Sequence, residues 1–415
     1  MQTNLAPFIK DTPQGREADA ILRKCTHCGM CTATCPTYQL LGDELDGPRG
    51  RIYLIKQVLE GAAPTERTQL HLDRCLTCRA CETTCPTGVR YGRLLDIGRQ
   101  LVEERVGRDP VEAARRRALR AVIPVPALFK LLLFMGRLAR PMLPNALSRK
   151  VPGSTAALPW PKASHARKML VLDGCVQQSL SPNTNAAAAR VLDRLGIALV
   201  RVPEAACCGA VSFHLGAQRE ALGHMRRNID AWWPHLQNGA EAIVMTASGC
   251  GMMVKDYGHA LARDPAYAGK AKRVSELTKD VSEVFAPEKA KLKPLVPRHP
   301  SLVTGRVAFQ SPCSLQHGMK LQGKVETLLT ELGFELTEVP DAHLCCGSAG
   351  TYSILQPELS QRLLADKIAA LTSGAPSAIL TANIGCQAHL QSASALPVRH
   401  WVEALDESLS LAPSR

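Results

Sequence analysis

The chain is poor in several things at once. Aromatic residues make up 4% of it, seven Phe, six Tyr and four Trp in 415 residues, so its cores must be mostly aliphatic. No uninterrupted apolar run approaches the ~18 residues that a membrane-crossing helix needs, so no transmembrane helix is expected. The opening stretch MQTNLAPFIKDTPQGREADA has no apolar h-region. No secretory signal is therefore visible, and a reducing cytoplasm that keeps thiols free for metal is expected. No G-x-G-x-x-G follows a candidate strand and no P-loop occurs, which leaves no site for flavin, nicotinamide or ATP.

Acidic residues are in deficit, with 37 Asp and Glu against 50 Lys and Arg. Residues 105–150 hold eleven Lys or Arg and two acids, which is +9 of the net +13. No nucleic-acid-binding motif accompanies that patch, so a membrane surface or an acidic partner subunit fits it better. Inside it lies PALFKLLLFMGRLARPML (126–143). Lys130, Arg137 and Arg140 fall on one helical face; Leu128, Leu131, Leu132 and Met135 fall mostly on the other. That is the pattern of a basic amphipathic helix in a membrane interface. The alternative is a helix packed on the protein with its charges in water.

What the chain has in quantity is cysteine, sixteen in all. One eleven-residue word occurs twice: Cys25-x-x-Cys28-x-x-Cys31-x-x-x-Cys35-Pro36 and Cys75-x-x-Cys78-x-x-Cys81-x-x-x-Cys85-Pro86. This is the bacterial ferredoxin run for cubane clusters. Three cysteines wrap one cluster and the fourth, before the proline, ligates the other. Two [4Fe–4S] clusters are expected, one on Cys25, Cys28, Cys31 and Cys85, the other on Cys75, Cys78, Cys81 and Cys35. Two zinc knuckles are the plain alternative, but zinc sites separate their C-x-x-C pairs by a longer loop and do not use a third cysteine at i+6.

Helical spacing is expected at 17–24, 51–60 and 94–106, around the two words. The rest is an internal repeat. The first copy runs KMLVLDGC (168–175), a helix, GIALVRVP (196–203), Cys207-Cys208-Gly209, a helix and AEAIVMTASGC (240–250). The second runs RVAFQSPC (306–313), a helix, GFELTEVP (333–340), Cys345-Cys346-Gly347, a helix and SAILTANIGC (377–386). In each copy 31 residues separate the lone cysteine from the pair. The fold class is therefore an α+β multidomain chain: a helical ferredoxin-like domain followed by two α/β repeats with parallel sheets. The expected divisions are 1–106, a connector at 107–167, and repeats at 168–300 and 301–415.

The cysteines of the repeats follow the carboxyl ends of strands, where open α/β sheets place ligands. Cys175, Cys207, Cys208 and Cys250 should converge, as should Cys313, Cys345, Cys346 and Cys386. Four thiolates suffice for an iron–sulfur cluster or zinc, and His389 is a further candidate ligand. Metal-free thiols on a docking fold are the alternative. Met253 reads as packing. His27 either touches a cluster sulfur or faces solvent. Arg49 and Arg51 read as a solvated charged face. Trp232 and Trp233 read as core. No catalytic acid, base or nucleophile is assigned.

The paired words followed by two Cys-Cys-Gly repeats resemble the iron–sulfur subunits of membrane-linked flavin dehydrogenases. Within that group the chain resembles the glycolate oxidase iron–sulfur subunits. The stretches CTATCPTYQLLGDELDGPRGRIYLIKQVLEG (31–61), LSPNTNAAAARVLDRLGI (180–197), NIDAWWP (228–234), HLCCGSAGTY (343–352) and TANIGCQAHL (381–390) carry the resemblance. It implies that FAD-binding partner subunits oxidise glycolate to glyoxylate. It also implies that this chain passes the electrons singly toward a quinone at the cytoplasmic side of the inner membrane. Lactate and glycerol-3-phosphate dehydrogenases use similar subunits. A heterodisulfide-reductase-like catalytic subunit is a further alternative, but there each complete repeat ends in C-x-x-C. Here the copies end Cys250-Gly-Met-Met253 and Cys386-Gln-Ala-His389.

Overall fold

A computed structural model describes residues 1–142, 144, 151–153, 156–296 and 305–410. Parts of the connector, and the expected boundary between the repeats at 300, lie outside the described residues. The chain forms two compact units that cut across the expected divisions: residues 1–117 with 343–363, and 118–342 with 364–415.

The first unit is helical. Its main helices are Pro13–Lys24, Pro48–Leu59, Glu66–Asp73 and Tyr91–Val106. Two of the starts are capped by a threonine side chain. Thr12 caps the first, its hydroxyl accepting from the Gly15 amide, with Pro13 at the first helical position. Thr65 and Thr68 form a reciprocal capping box on the third. That helix covers the approach to Cys75, where the sequence suggested only a lead-in. Ile21, Leu22, Ile52, Ile55, Leu59, Leu72, Leu94, Leu95 and Val102 interlock as the core. Two helices come very close at Gly98, where a Cβ would fall 2.6 Å from Cγ1 of Ile55.

The second unit holds two parallel sheets. The first has order β2-β1-β3-β4, with β1 Arg167–Val171, β2 Ile197–Arg201, β3 Ile243–Met245 and β4 Thr278–Asp280. The second has order β5-β6-β7, with β5 Val307–Gln310, β6 Ala378–Thr381 and β7 Val398–His400. The repeat expected from the sequence is therefore a repeat of topology, with one difference. GFELTEVP is no strand; only Leu336 bridges to Val307, in the edge position that β2 occupies in the other sheet. Glu335 and Glu338 interrupt the apolar run that GIALVRVP keeps, and such residues hold an edge strand poorly. Strands β4 and β7 were not foreseen.

Side chains of β1 alternate between two cores, as a sheet covered on both faces requires. Met169 and Val171 join a core that runs on through Val307, Phe309, Leu380 and Trp401 of the second repeat. Leu170 and Leu172 join another with Met245, Met253, Trp232 and Tyr257. Two repeats that share one core do not form separate bodies. Trp232 and Met253 are packing residues, as read from the sequence.

The amphipathic segment forms a helix, Pro126–Ala139, followed by a short turn to Met142, and none of its residues is buried. Of its basic face, Lys130 and Arg140 are exposed and Arg137 is turned onto the protein. Arg137 donates to the carbonyls of Pro152, Gly153 and Ser179 at 2.7–3.2 Å. Leu131, Leu132, Phe134, Met135 and Leu138 face outward instead. No single helix among the described residues is long and apolar enough to cross a membrane.

Gly98→Ala should lower the stability of the helical unit by about 1–3 kcal/mol, because Ile55 has no room to yield. Its chemical-denaturation midpoint, compared with that of a surface Gly→Ala control at Gly223, checks this.

Candidate metal centre

The eight cysteines of the two words line two adjoining cavities in the helical unit. Cys25, Cys28, Cys31 and Cys85 line one. Cys35, Cys75, Cys78 and Cys81 line the other. The fourth cysteine of each word thus lines a cavity with the other word's first three. Cys81, Tyr91 and Pro48 border both cavities.

The backbone of the two words is bent alike. His27 and Thr77, at matching positions, have φ of 59° and 55°; Gly29 and Arg79, also matching, have 85° and 60°. Left-handed conformations at three non-glycine residues are unfavourable and persist where surrounding structure demands them. Here they curl the loop so that amides reach sulfur. The Thr77 amide donates to Cys75 Sγ at 3.4 Å, and the Val89 amide to Cys85 Sγ at 3.4 Å. Each terminal cysteine sits in a Cys-Pro-Thr triplet. Thr37 Oγ1 lies 3.3 Å from Cys35 Sγ, and Thr87 Oγ1 lies 3.4 Å from Cys85 Sγ. The sequence reading missed these threonines, although their matching offset was visible.

Two of the sulfurs are held against ionising, whereas at Cys85 burial is outweighed by hydrogen bonds from Thr87 and Val89, which pull the thiol down. Burial and the neighbouring Cys25 push the Cys31 thiol up to about 11. Burial, Cys78 and Cys75 push Cys81 well up. Four crowded thiols ionise together only around a cation, so the donor set fits a metal cluster. His27 also lines the first cavity, with a buried Nε2 that has no hydrogen-bond partner. It faces the site rather than open solvent.

Behind the second cavity lies a charged network. Arg51 was read as a solvated residue and is instead 1% exposed. Its Nε donates to the His71 carbonyl at 2.7 Å, its Nη1 to Thr37 Oγ1 at 3.1 Å and its Nη2 to Asp46 Oδ1 at 3.3 Å. Asp46 also receives Arg74 Nη1 at 2.8 Å and contacts His71 Nδ1 at 3.1 Å. Asp43, Asp46 and His71 are close enough to resemble a cation site. Two guanidiniums already occupy Asp46, which explains the grouping without an ion. Arg49, by contrast, is partly exposed and paired with Glu44 through two bonds of 3.0 and 2.6 Å.

In the α/β unit, Cys175, Cys207, Cys208 and Cys250 come together. Their thiols are linked in sequence, Cys175 to Cys207, Cys207 to Cys208 and Cys208 to Cys250. Hydrogen bonds from Cys175 and Cys208 pull Cys207 down, while the same bonds and burial push its two neighbours up. The Gly209 amide also donates to Cys207 Sγ at 3.4 Å. The second Cys-Cys-Gly does the same, the Gly347 amide meeting Cys345 Sγ at 3.5 Å. Gly209 and Gly347 have φ of 90° and 86°, and a Cβ on Gly347 would fall 2.6 Å from the Ser360 carbonyl oxygen. Only glycine fits there. Cys345 and Cys346 belong to the helical unit; Cys313, Cys386 and His389 belong to the α/β unit. Tyr352 ties the Cys345–Cys346 segment down, its hydroxyl donating to the Arg74 carbonyl at 3.1 Å.

Comparison with known proteins agrees with this layout. A 4Fe-4S dicluster domain model matches residues 21–89, and a cysteine-rich domain model matches 169–255 and again 307–391. The glycolate oxidase iron–sulfur subunit of Escherichia coli (strain K12) is 56% identical over 99% of each chain. A protein of Bacillus subtilis (strain 168), described as a probable glycolate oxidase iron–sulfur subunit, is 30% identical over 91% of this chain and 90% of its own. Lactate utilization protein A of Bacillus licheniformis is 26% identical over 51% of this chain and 85% of its own.

The crossed arrangement has a direct test. In protein reconstituted with iron and sulfide, Cys35→Ser should disturb the same paramagnetic signal as Cys78→Ser. Cys85→Ser should disturb the signal that Cys28→Ser disturbs. Pairing of Cys35 with Cys28 instead would overturn the crossing.

Proposed function

Because the chain belongs to the glycolate oxidase iron–sulfur subunit family, we propose that it is the electron-transfer subunit of a flavoenzyme complex oxidising glycolate to glyoxylate. It is not catalytic alone. The observation that carries the reading is the pair of adjoining four-cysteine cavities, which share Cys81 and Tyr91 as a common wall. Each cavity would hold one [4Fe–4S] cluster, and such a cluster carries one electron at a time. Two of them side by side convert the two-electron output of a flavin into single transfers toward a quinone. The flavin belongs to partner subunits, since this chain has no nucleotide-binding loop. The chain's part is to hold eight sulfurs in place, to donate amides to them and to shield them with the four helices. Lactate is the second substrate to consider, but the lactate-related protein matches only half of the chain.

The group of Cys175, Cys207, Cys208 and Cys250 is proposed to hold a further iron–sulfur cluster or zinc. Its support is geometric: Cys175 and Cys250 line one cavity, and the Gly209 amide donates to Cys207 Sγ at 3.4 Å. Cys313, Cys345, Cys346, Cys386 and His389 are proposed as the equivalent set on sequence grounds alone.

The complex is proposed to rest on the cytoplasmic face of the inner membrane through Pro126–Met142. Outward Leu131, Leu132, Phe134, Met135 and Leu138 would enter the acyl boundary, while exposed Lys130 and Arg140 would meet anionic headgroups.

Cys78→Ala should abolish electron delivery from glycolate to a quinone analogue while the flavin of the complex still bleaches on adding glycolate. Undiminished delivery would contradict the relay role. Leu131→Glu with Phe134→Glu should release the complex from vesicles containing anionic phospholipid without loss of iron. Retention on the vesicles in a flotation assay would mean that the helix does not anchor it.

A further inference from the structure

We infer that Arg51 sets the order of the two clusters, making the site of Cys35, Cys75, Cys78 and Cys81 the one that holds an electron more tightly. The inference rests on the two-cluster reading and goes beyond it to the direction of flow. It begins from an anomaly of burial. A guanidinium that is 1% exposed is costly to bury, and an apolar side chain of similar volume would fill the space without that cost. Such a charge needs an anion. Asp46 is the carboxylate it meets, and Asp46 is shared with Arg74. Arg74 is partly exposed and Asp43 stands beside Asp46, so the cation of this network that is fully buried is Arg51.

That buried charge faces the second cavity. Arg51 lines it together with Cys35 and Cys75. It donates to Thr37, whose hydroxyl lies 3.3 Å from Cys35 Sγ. Burial opposes the charge on Arg51, but Cys75, Tyr91, Cys35 and Asp46 outweigh burial and keep it fixed. Arg99 adds to the same side, its Nη2 donating to the Cys75 carbonyl at 2.7 Å. Arg79 also lines this cavity, with the Glu82 carboxylate nearby. The first cavity has no fully buried cation among its described lining residues; the N-terminal ammonium, which donates to the Cys25 carbonyl at 2.7 Å, is only partly buried. Its lining arginine, Arg49, is matched by Glu44 and reaches solvent.

A cubane cluster with four thiolates is an anion, and reduction adds one more negative charge. A buried cation close by favours the reduced form, and its effect falls with distance. Net charge around the sulfurs is one of the main determinants of cluster potential. The second site is therefore the electron's resting place. The redistribution is one electron leaving the site of Cys25, Cys28, Cys31 and Cys85 and arriving at the other. No bond is made or broken and no proton is moved.

Potentiometric titration of the full chain with both clusters loaded, followed by paramagnetic resonance, tests this. The unaltered chain should show two separated couples, the higher lost in Cys78→Ser and kept in Cys28→Ser. Arg51→Met should shift the higher couple's reduction equilibrium at least tenfold toward the oxidised form, about 59 mV for one electron. It should move the other couple by clearly less. Arg51→Lys keeps the charge and should restore most of the shift. Arg74→Gln, at a partly exposed position, should move the same couple the same way by less. An Arg51 that only held the fold together would alter iron content and leave the potential of loaded protein unchanged. The inference is overturned if Arg51→Met moves both couples equally or neither, or if Cys78→Ser removes the lower couple. Should Arg51→Met fail to load iron, an unmoved potential in Arg74→Gln overturns it. Absence of both signals from the unaltered chain would sink the two-cluster reading itself, before any potential is read.

Discussion

Sulfurs crowded into a dry wall cannot all carry charge unless a cation stands among them. Most of this structure follows from that constraint. The helical unit gathers eight thiols, and burial with mutual repulsion raises Cys31 and Cys81 far above ordinary thiols. The backbone is bent into left-handed turns at His27, Thr77 and Arg79. Both features are unfavourable in the empty chain. Both are relieved or answered when thiolates bind metal, so ligand geometry and folding are one problem here. The Cys175 group meets the same constraint in another way. Its thiols stand against one another, with Cys207 pulled down by its neighbours and the Gly209 amide while Cys175 and Cys208 are pushed up.

Repetition is the chain's second organising principle, and it operates at the level of single atoms. The two words repeat their positive φ values and their Cys-Pro-Thr contacts. The two Cys-Cys-Gly segments repeat a glycine amide aimed at sulfur. The sheets repeat an order in which the lone-cysteine strand lies next to its edge. Two of the differences between copies involve charge. Arg51 behind one cavity has no buried counterpart behind the other, and Glu335 with Glu338 reduces an edge strand to a single bridge.

Much of this was legible in the residues. The cysteine spacing placed the fourth cysteine of each word beside the other word's first three, and the two cavities are lined that way. The apolar runs of β1, β2, β3, β5 and β6 were equally plain. Three kinds of feature were not. Strands β4 and β7 are three residues each, too short for a period of two to register. Arg51 looked like a surface charge because a sequence shows no tertiary partner such as Asp46. The outward face of Pro126–Ala139 was read by amphipathicity, which cannot say which side packs; the carbonyls that Arg137 reaches decide it.

The helical unit is not contiguous in the chain. Residues 1–117 are completed by 343–363, held by Tyr352 to the Arg74 carbonyl and by Arg362 to the Leu40 carbonyl. A ribosome delivers the first part long before the second. For most of synthesis the nascent cysteine words therefore wait without the segment that covers Arg74, next to Cys75. Every lining residue of the second cavity lies between Cys35 and Tyr91, so the late segment adds an outer layer, through Tyr352 on the Arg74 carbonyl, to a pocket that the early chain already encodes.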